Sequence, residues 1–203
     1  MPHTPPLVQK AEAFCTDLLR TRLPASLVFH NYHHTAAVAA AAFEIGTHSG
    51  LTAEELHMVV VAAWFHDTGY CCRYKGHEES SKQFATSFLL EQGVAPAFQK
   101  QVLACIEATK VLQRPATLAE QVLRDADMSH LGKDFFPATS LRLKKEIESV
   151  QRTTIPDREW HRQNIAFLEQ HMFFTPYAQE HYTEQKNKNI QQERLLLANA
   201  SAG

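Results

Sequence analysis

The sequence contains no apolar run long enough to cross a lipid bilayer. The longest uncharged and largely apolar stretch, MVVVAAWF (58–65), is much shorter than the roughly 20 residues that a membrane-spanning helix needs. The opening MPHTPPLVQK also lacks the charged start and apolar centre of a signal peptide. We therefore expect no membrane partner and a cytoplasmic location.

The chain also lacks a large excess of charge of one sign. Its 20 Lys and Arg side chains stand against 22 Asp and Glu side chains, which leaves a formal net charge of −2. No net field draws such a protein to a nucleic acid polymer or to an anionic membrane surface. A local basic pocket for a small anion stays open.

Cysteine is scarce, and its four positions form no CxxC pair. Cys71 and Cys72 are adjacent, while Cys15 and Cys105 lie far from them in sequence. This arrangement does not indicate a disulfide framework. We expect four reduced thiols.

Alternating apolar and polar residues bounded by turn signals, the pattern of a half-buried strand, are hard to find. Apolar residues recur instead at helical spacing, and no repeat of 20 to 50 residues is visible. We predict an all-α fold: one compact domain spanning 1–203, built as a bundle of eight or nine helices. Its core is expected over about 25–175, followed by a C-terminal helical extension.

Start and stop signals place the individual helices. Thr52 with Glu55, and Thr117 with Glu120, have the spacing of capping boxes. Pro96 and Pro176 suit first-turn positions, and Gly69 and Gly93 suit helix ends. Besides the helices that begin after Thr52 and Thr117, the predicted helices cover roughly 6–21, 32–48, 78–92, 96–111, 140–151, 157–171 and 176–197.

The end of the chain becomes polar from Glu180 onward. We expect a solvated terminal helix that frays. The alternative is a stalk or a homodimer contact through Ile190, Leu195 and Leu196 of an amphipathic end.

Histidine, by contrast, is abundant, with 12 residues in the chain. Half of them have no acidic or histidine partner at ligand spacing and are interpreted as surface or capping groups: His3, His48, His57, His161, His171 and His181. The informative histidines lie in the segments FHNYHHTAAV, WFHDTGY and GHEES.

The adjacent pair His66 and Asp67 ends the apolar helix that follows Thr52. Neighbouring residues on a helix point about 100° apart, so both side chains can bracket one ion. A lone His on an apolar stripe is more often a hydrogen-bonded core residue than a ligand. The carboxylate changes this interpretation, because its burial is costly without a cation or strong donors.

The segments HNYHHT, WFHDTGY and RDADMSHLG, in this order, resemble the His, His-Asp, Asp signature of the HD superfamily of metal-dependent phosphohydrolases. GHEESS after the pair and DADMSHLG resemble a branch of small stand-alone HD phosphohydrolases. The resemblance covers most of residues 30–175. It implies that His34, His66, Asp67 and Asp127 bind a divalent metal ion.

For two of these ligands, the family pattern decides between nearby residues of the same type. In that pattern the first ligand precedes a Thr, here Thr35, which favours His34 over His33. The last ligand is the second acid of DAD, which favours Asp127 over Asp125. Asp125 is then expected to support the site or to pair with Arg124.

The chain departs from its relatives in two places. Some members carry a Glu three residues after the His-Asp pair, where this chain has Tyr70, so Asp67, His77 and Glu78 become the candidate catalytic residues. GHEESS opens a helix, whose free N–H groups favour an anion. Members with two metals have a histidine in the next helix, where LACIEATKVL offers Glu107 and Thr109. We expect one firmly bound ion and leave open a second, weaker one through His77.

Cations flank both metal-binding segments. Arg73 and Lys75 precede His77, and His130 and Lys133 follow Asp127, so these four are the candidate substrate-binding residues. A solvated loop charge, or for His130 a helix cap, is the alternative for each. A group of aromatic residues is expected in the core or in a lid: Phe135, Phe136, Trp160, Phe167, Phe173 and Phe174.

The expected function is hydrolysis of a phosphate ester or anhydride, in a nucleotide or a nucleotide-derived signal, by a metal-activated water. Mn²⁺, Mg²⁺, Fe²⁺ and Co²⁺ all suit mixed nitrogen and oxygen ligands. The expected partner is a small anionic substrate. The alternative is a nucleotide-sensing module that keeps the metal site without catalysis.

Overall fold

The computed structural model describes residues 5–200, and this range contains nine α-helices, two 3₁₀ turns and no strand. The all-α prediction is confirmed. His3 lies outside the described residues. The helices are α1 (Pro6–Arg22), α2 (Tyr32–His48), α3 (Ala53–Phe65), α4 (His77–Glu91), α5 (Pro96–Ala108), α6 (Leu118–Asp127), α7 (Phe136–Gln151), α8 (Asp157–Gln170) and α9 (Pro176–Asn199).

Most helix ends follow the predicted local signals. Thr52 and Glu55 form the full capping box at the start of α3. The second box is incomplete, because Thr117 accepts from the amide of Glu120 while the Glu120 carboxylate accepts from the amide of Ala116 at 2.7 Å. Helix α7 begins four residues before its predicted start, since Pro137 occupies its first turn.

Helix α3 is the central element of the fold. Its last eight residues, Met58–Phe65, are all buried, because α1, α2, α4, α5 and α6 surround the helix. A helix that is apolar on every side is stable only when it is enclosed by other elements. The His-Asp pair that follows Phe65 is consequently delivered into the interior of the bundle.

Helix α9 is not a solvated terminal helix, and that expectation is wrong. The helix packs along α8 and along the 3₁₀ turn Ser129–Gly132, and it buries Tyr182, Asn189 and Ile190. The Asn189 carboxamide donates to the carbonyls of Leu131 and Lys133 at 2.8 and 2.9 Å.

The three residues predicted for the stalk or dimer contact are thereby divided. Ile190 is buried within its own chain, whereas Leu195 and Leu196 are exposed. A homodimer contact through the exposed pair stays a prediction. Among residues 5–200, no helix combines the length and the apolarity needed to cross a membrane.

Candidate metal centre and active site

Three chain segments bring the predicted metal ligands together. His34 lies in the first turn of α2, where the Asn31 side chain accepts from the amides of His33 and His34. His66 directly follows α3 and keeps helical backbone angles, and Asp67 precedes the 3₁₀ turn Thr68–Cys71. Asp127 is the last residue of α6.

The ligand atoms of these four side chains are close to one another. His34 Nε2 lies 3.2 Å from Asp127 Oδ1 and 3.4 Å from Asp67 Oδ2. His66 Nε2 lies 3.2 Å from Asp67 Oδ2 and 3.6 Å from Asp127 Oδ1. The ligand atoms of His34, His66 and Asp127 all fall within 4.8 Å of one another.

Burial without hydrogen bonding distinguishes these atoms from an ordinary polar cluster. His34 Nε2, His66 Nε2 and Asp67 Oδ2 are buried, and none has a hydrogen-bond partner among the described residues. The Nδ1–H of His66 donates to the Ala63 carbonyl at 2.7 Å, which leaves the Nε2 lone pair directed into the cluster.

This arrangement fits a divalent cation. Two ligand atoms each about 2.1 Å from an ion, and at right angles, lie about 3 Å apart. The observed separations of 3.2 to 3.6 Å are close to that value. Two imidazoles and two carboxylates also form a donor set that a dication neutralises.

The nearby carboxylates electrostatically favour the protonated form of both imidazoles. Burial opposes protonation of His34, but the adjacent Asp127 and Asp67 outweigh it and raise the pKa of His34 to about 9. The pKa of His66 is raised well above its ordinary value against the same burial. The imidazoles in turn lower the pKa of Asp67 and of Asp127, although burial acts in the opposite direction.

His77 faces the same cluster from the start of α4. Its Nε2 lies 3.3 Å from Asp67 Oδ1, and its Nδ1–H donates to the Tyr74 carbonyl at 3.2 Å. Glu78 lies beside it, with an oxygen 3.9 Å from His77 Nδ1. Asp67 therefore has one oxygen toward the ligand atoms and the other toward His77.

Tyr70, in place of the acid found in some relatives, lies between two imidazoles. Its ring stacks on His77 with centroids 3.8 Å apart and on His30 with centroids 4.4 Å apart. Burial and nearby carboxylates raise the pKa of its phenol far above the ordinary value. The phenol of Tyr70 is thus neutral near neutral pH. Its ring supports the two imidazoles by stacking, and its hydroxyl does not act as a proton acceptor.

His30 and the carboxylate that binds it were not among the predicted site residues. Glu146, fully buried on α7, accepts from the amides of Phe29 and His30 at 2.8 and 3.0 Å and from the His30 imidazole. Burial tends to raise the pKa of Glu146, but these donors lower it below the ordinary value. The segment FHNYHHT contained His30, whereas no local signal pointed to Glu146.

Two recesses open onto the candidate metal ligands. We call the larger one the α2–α7 groove; it has a volume of about 380 Å³ and includes His34, Asp127, His130 and Lys133 in its walls. The smaller one, the inner recess, has a volume of about 150 Å³ and includes Asp67, His77, Glu78 and Tyr70.

Only two of the four predicted substrate-binding residues line these recesses. His130 lines both recesses, Lys133 lines the groove, and Arg73 and Lys75 are exposed and line neither recess. Burial and the nearby His34 lower the pKa of His130 to about 4, so that imidazole is neutral. Arg142, which lines the groove, was missed.

Asp125 and His33, the alternatives to the predicted ligands Asp127 and His34, do not join the ligand cluster. Asp125 is buried and accepts from the amides of Phe174 and Thr175 at 2.8 and 2.7 Å, so it neither faces the site nor forms the expected salt bridge with Arg124. The Arg124 guanidinium donates instead to backbone carbonyls, including that of Thr109. His33 is exposed at the groove.

Glu107, the other acid considered near the site, belongs to a different cluster. Its carboxylate pairs with Lys82 and Lys110, and the same two lysines pair with Glu79. These ion pairs join α4 to α5, and the two lysines lower the pKa of Glu79 to about 2.

The predicted aromatic group is partly buried. Phe136, Trp160 and Phe173 are core residues. Phe135 is about half exposed beside the groove, and Phe167 is similarly exposed beside the inner recess.

Solved structures of the same architecture identify the fold. A predicted HD superfamily hydrolase from an uncultured Thermotogales bacterium matches with a TM-score of 0.65 and 18% identity over 96% of this chain and 93% of its own. The chain has the HD-domain fold.

Two further structures share this HD-domain fold. A Lactobacillus plantarum protein matches with a TM-score of 0.70 and 15% identity, over 99% of this chain and 100% of its own. Bacillus subtilis YpgQ, solved in complex with ADP, matches with a TM-score of 0.62 and 18% identity, over 93% and 96%. No protein-family model and no curated protein matches the chain.

Proposed function

We propose that this HD-fold protein is a metal-dependent phosphohydrolase that cleaves a phosphate ester or anhydride. One observation carries the proposal: buried, unpartnered nitrogens of His34 and His66 converge on oxygens of Asp67 and Asp127 from three separate segments. Desolvating such a set is costly unless a cation compensates it. A predicted hydrolase with the same fold supports the reaction class.

His34, His66, Asp67 and Asp127 would hold the ion. When bound, a divalent cation supplies polarisation of the phosphoryl group and a lowered pKa for a water molecule. The protein contributes orientation: the Ala63 carbonyl fixes the tautomer of His66, and Asn31 fixes the first turn of α2 that carries His34. One firmly held ion is proposed, with a second, weaker one through His77.

His77 and Glu78 are the proposed acid-base groups. Both line the inner recess together with Asp67 and Asp127, and both lie in the first turn of α4. Helix N-termini favour anions because their amide groups and dipole point toward the ligand. A phosphoryl group in this recess therefore lies against His77, which is in position to move a proton on the side of Asp67.

We propose a nucleotide or nucleotide-derived signal as the substrate and the cytoplasm as the location. The ADP complex of YpgQ, which has the same fold, supports the choice of a nucleotide. The volume of the α2–α7 groove, about 380 Å³, lies in the range of small-molecule sites.

A nucleotide sensor without catalysis is the second candidate. It rests on Tyr70, which occupies the position of an acid in some relatives and is held as a neutral ring by His30 and His77. A sensor would bind nucleotide saturably and release no product.

The test combines metal analysis with a nucleotide panel. Asp67→Ala is expected to lose both bound metal and phosphate release, whereas the exposed Asp134→Ala is expected to change neither. Elemental analysis, a phosphate-release assay and a nucleoside assay are run on the same preparations. Unaltered activity in Asp67→Ala would remove the mechanism, and saturable binding without product in the wild type would favour the sensor.

A further inference from the structure

The α2–α7 groove contains two cations that neither the metal ligands nor other acids engage. Arg142 on α7 and Lys133 after the second 3₁₀ turn both line the groove. Neither side chain forms an ion pair with a described carboxylate. Arginine and lysine without an acidic partner, in a concave site, favour an anionic ligand.

Lys133 is held in place. Asn189 donates to its backbone carbonyl at 2.9 Å, and its ammonium group lies 4.5 Å from the centroid of the Tyr182 ring. The backbone bond and the aromatic contact restrict where the ammonium can go. The ammonium group is consequently held beside Tyr182, which also lines the groove.

The groove also has an apolar part. Four of its α2 residues have small apolar side chains, Ala37, Val38, Ala40 and Ala41, beside the polar α2 residues His33, His34 and Glu44. Glu44 is its remaining carboxylate besides Asp127, and the Tyr177 hydroxyl donates to Glu44 at 2.7 Å. A ligand here meets the metal ligands His34 and Asp127 at one wall and unpaired cations at another.

A single metal-bound phosphoryl group does not require those cations. The inner recess already offers His77 and the start of α4 beside Asp67. A dication together with Asp67 and Asp127 is neutral, so Arg142 and Lys133, against the single carboxylate of Glu44, leave the groove with a net positive charge. That charge suits a second anionic group on the same substrate.

We propose that Arg142 and Lys133 are specificity-determining residues that bind a second anionic group of the substrate, distinct from the phosphoryl group at the metal. This inference rests on the proposed function. It predicts that the substrate is a phosphate compound with two anionic groups, such as a diphosphate. The organic part of the substrate would then lie over the small side chains of α2, Ala37, Val38, Ala40 and Ala41.

The experiment measures binding separately from turnover. Mn²⁺-loaded protein is titrated calorimetrically with α,β-methylene-ADP, which resists hydrolysis between its two phosphates, and with AMP. The wild type is expected to bind the diphosphate analogue about tenfold more tightly than AMP, because a charge-assisted hydrogen bond accounts for roughly that factor. Arg142→Gln and Lys133→Gln are each expected to remove most of this difference while changing AMP affinity by less than about twofold.

Arg158→Gln is the matched control, since Arg158 is exposed like Arg142 and lines neither recess; it is expected to keep the wild-type ratio. Thermal melts check that each variant is folded. A ratio near one in the wild type, or an Arg142→Gln variant that keeps the wild-type ratio, would overturn the inference. Selective binding without any phosphate release from the nucleotide panel would contradict the proposed function alone.

Discussion

The imidazole of His77 lies flat against the ring of Tyr70, with the centroids 3.8 Å apart and the planes 17° from parallel. The other face of Tyr70 is covered by His30 at 4.4 Å. His77 contacts Asp67 through Nε2. Stacking on Tyr70 fixes the plane of the His77 imidazole and therefore the direction in which Nε2 points.

Replacing the ring and replacing the hydroxyl of Tyr70 should therefore have different effects. Tyr70→Phe keeps the stack and is expected to retain most of kcat, whereas Tyr70→Leu frees His77 and is expected to lower kcat about 10- to 100-fold. Steady-state kinetics, with metal content measured in parallel, test the difference. Equal losses in both variants would assign the role to the hydroxyl group.

Asp125 and Asp127 have separate roles although only Ala126 lies between them. Asp127→Asn is expected to weaken metal binding at least about 100-fold and to leave the metal-free fold intact. Asp125→Asn is expected to keep the metal and to lower the free energy of unfolding by about 2 to 3 kcal/mol. The reason is that the new NH₂ group would face the backbone N–H donors of Phe174 and Thr175 and could not accept from them.

Metal titration and urea unfolding of both variants separate the two effects. Each variant serves as the control for the other. Loss of metal in Asp125→Asn, with normal metal binding in Asp127→Asn, would reverse the assignment of the two acids.

Gly69 is required by a close approach between two backbones. A Cβ atom at this position would lie 1.8 Å from the carbonyl oxygen of His77. Gly69→Ala is expected to lower the free energy of unfolding by about 3 kcal/mol or more and to reduce metal affinity, since Asp67 and His77 must separate.

Gly50→Ala is the control for Gly69→Ala. Gly50 has φ of 83°, and a Cβ there meets nothing within 4 Å. Its cost is therefore limited to the left-handed backbone, about 1 to 2 kcal/mol. Equal destabilisation by the two substitutions, measured by urea unfolding, would contradict the steric argument.

Glu146 should contribute stability with a defined pH dependence. Its pKa in the folded protein is lowered from the ordinary value of 4.5, so the folded state favours the carboxylate. The contribution is complete above about pH 4.5 and is lost as the pH falls through the lower folded-state pKa. Glu146→Gln is expected to cost about 2 to 4 kcal/mol near pH 7.

The wild type and Glu146→Gln should converge in stability as the pH falls below 4.5. Urea unfolding of metal-free protein at several pH values measures the gap between them. A gap that stays constant or widens toward low pH would show that the ionised form of Glu146 is not the stabilising one.

The helices were predictable because their signals are local, and the candidate metal ligands were named from the order of short motifs that resembles the HD superfamily. Thr52 with Glu55 and Pro176 fix helix starts within a few residues of chain. His34, the His66–Asp67 pair and Asp127 each lie at a helix terminus, so predicting those termini also predicts where the ligand side chains emerge.

Glu146 and Arg142 were not predictable, because their significance depends on contacts between distant parts of the chain. Glu146 holds residues 29 and 30 from more than 100 positions away. Helix α9 was misjudged for a related reason. Its buried face includes Asn189 and Glu193, whose polarity is compensated by partners on other elements, and an apolar pattern does not detect such a face.

The bonds from Asp125 to Phe174 and Thr175 tie the segment that begins at Phe174 to α6, the helix that carries the candidate ligand Asp127. A protein shortened to end before Phe174 would leave the Asp125 carboxylate sealed inside with its donors removed. Asp125 lies two residues from Asp127 on α6. A shift of the α6 backbone at Asp125 would therefore also displace Asp127 from the proposed cation site. A chain truncated before Phe174 is therefore expected to lose the proposed cation site together with its last helix.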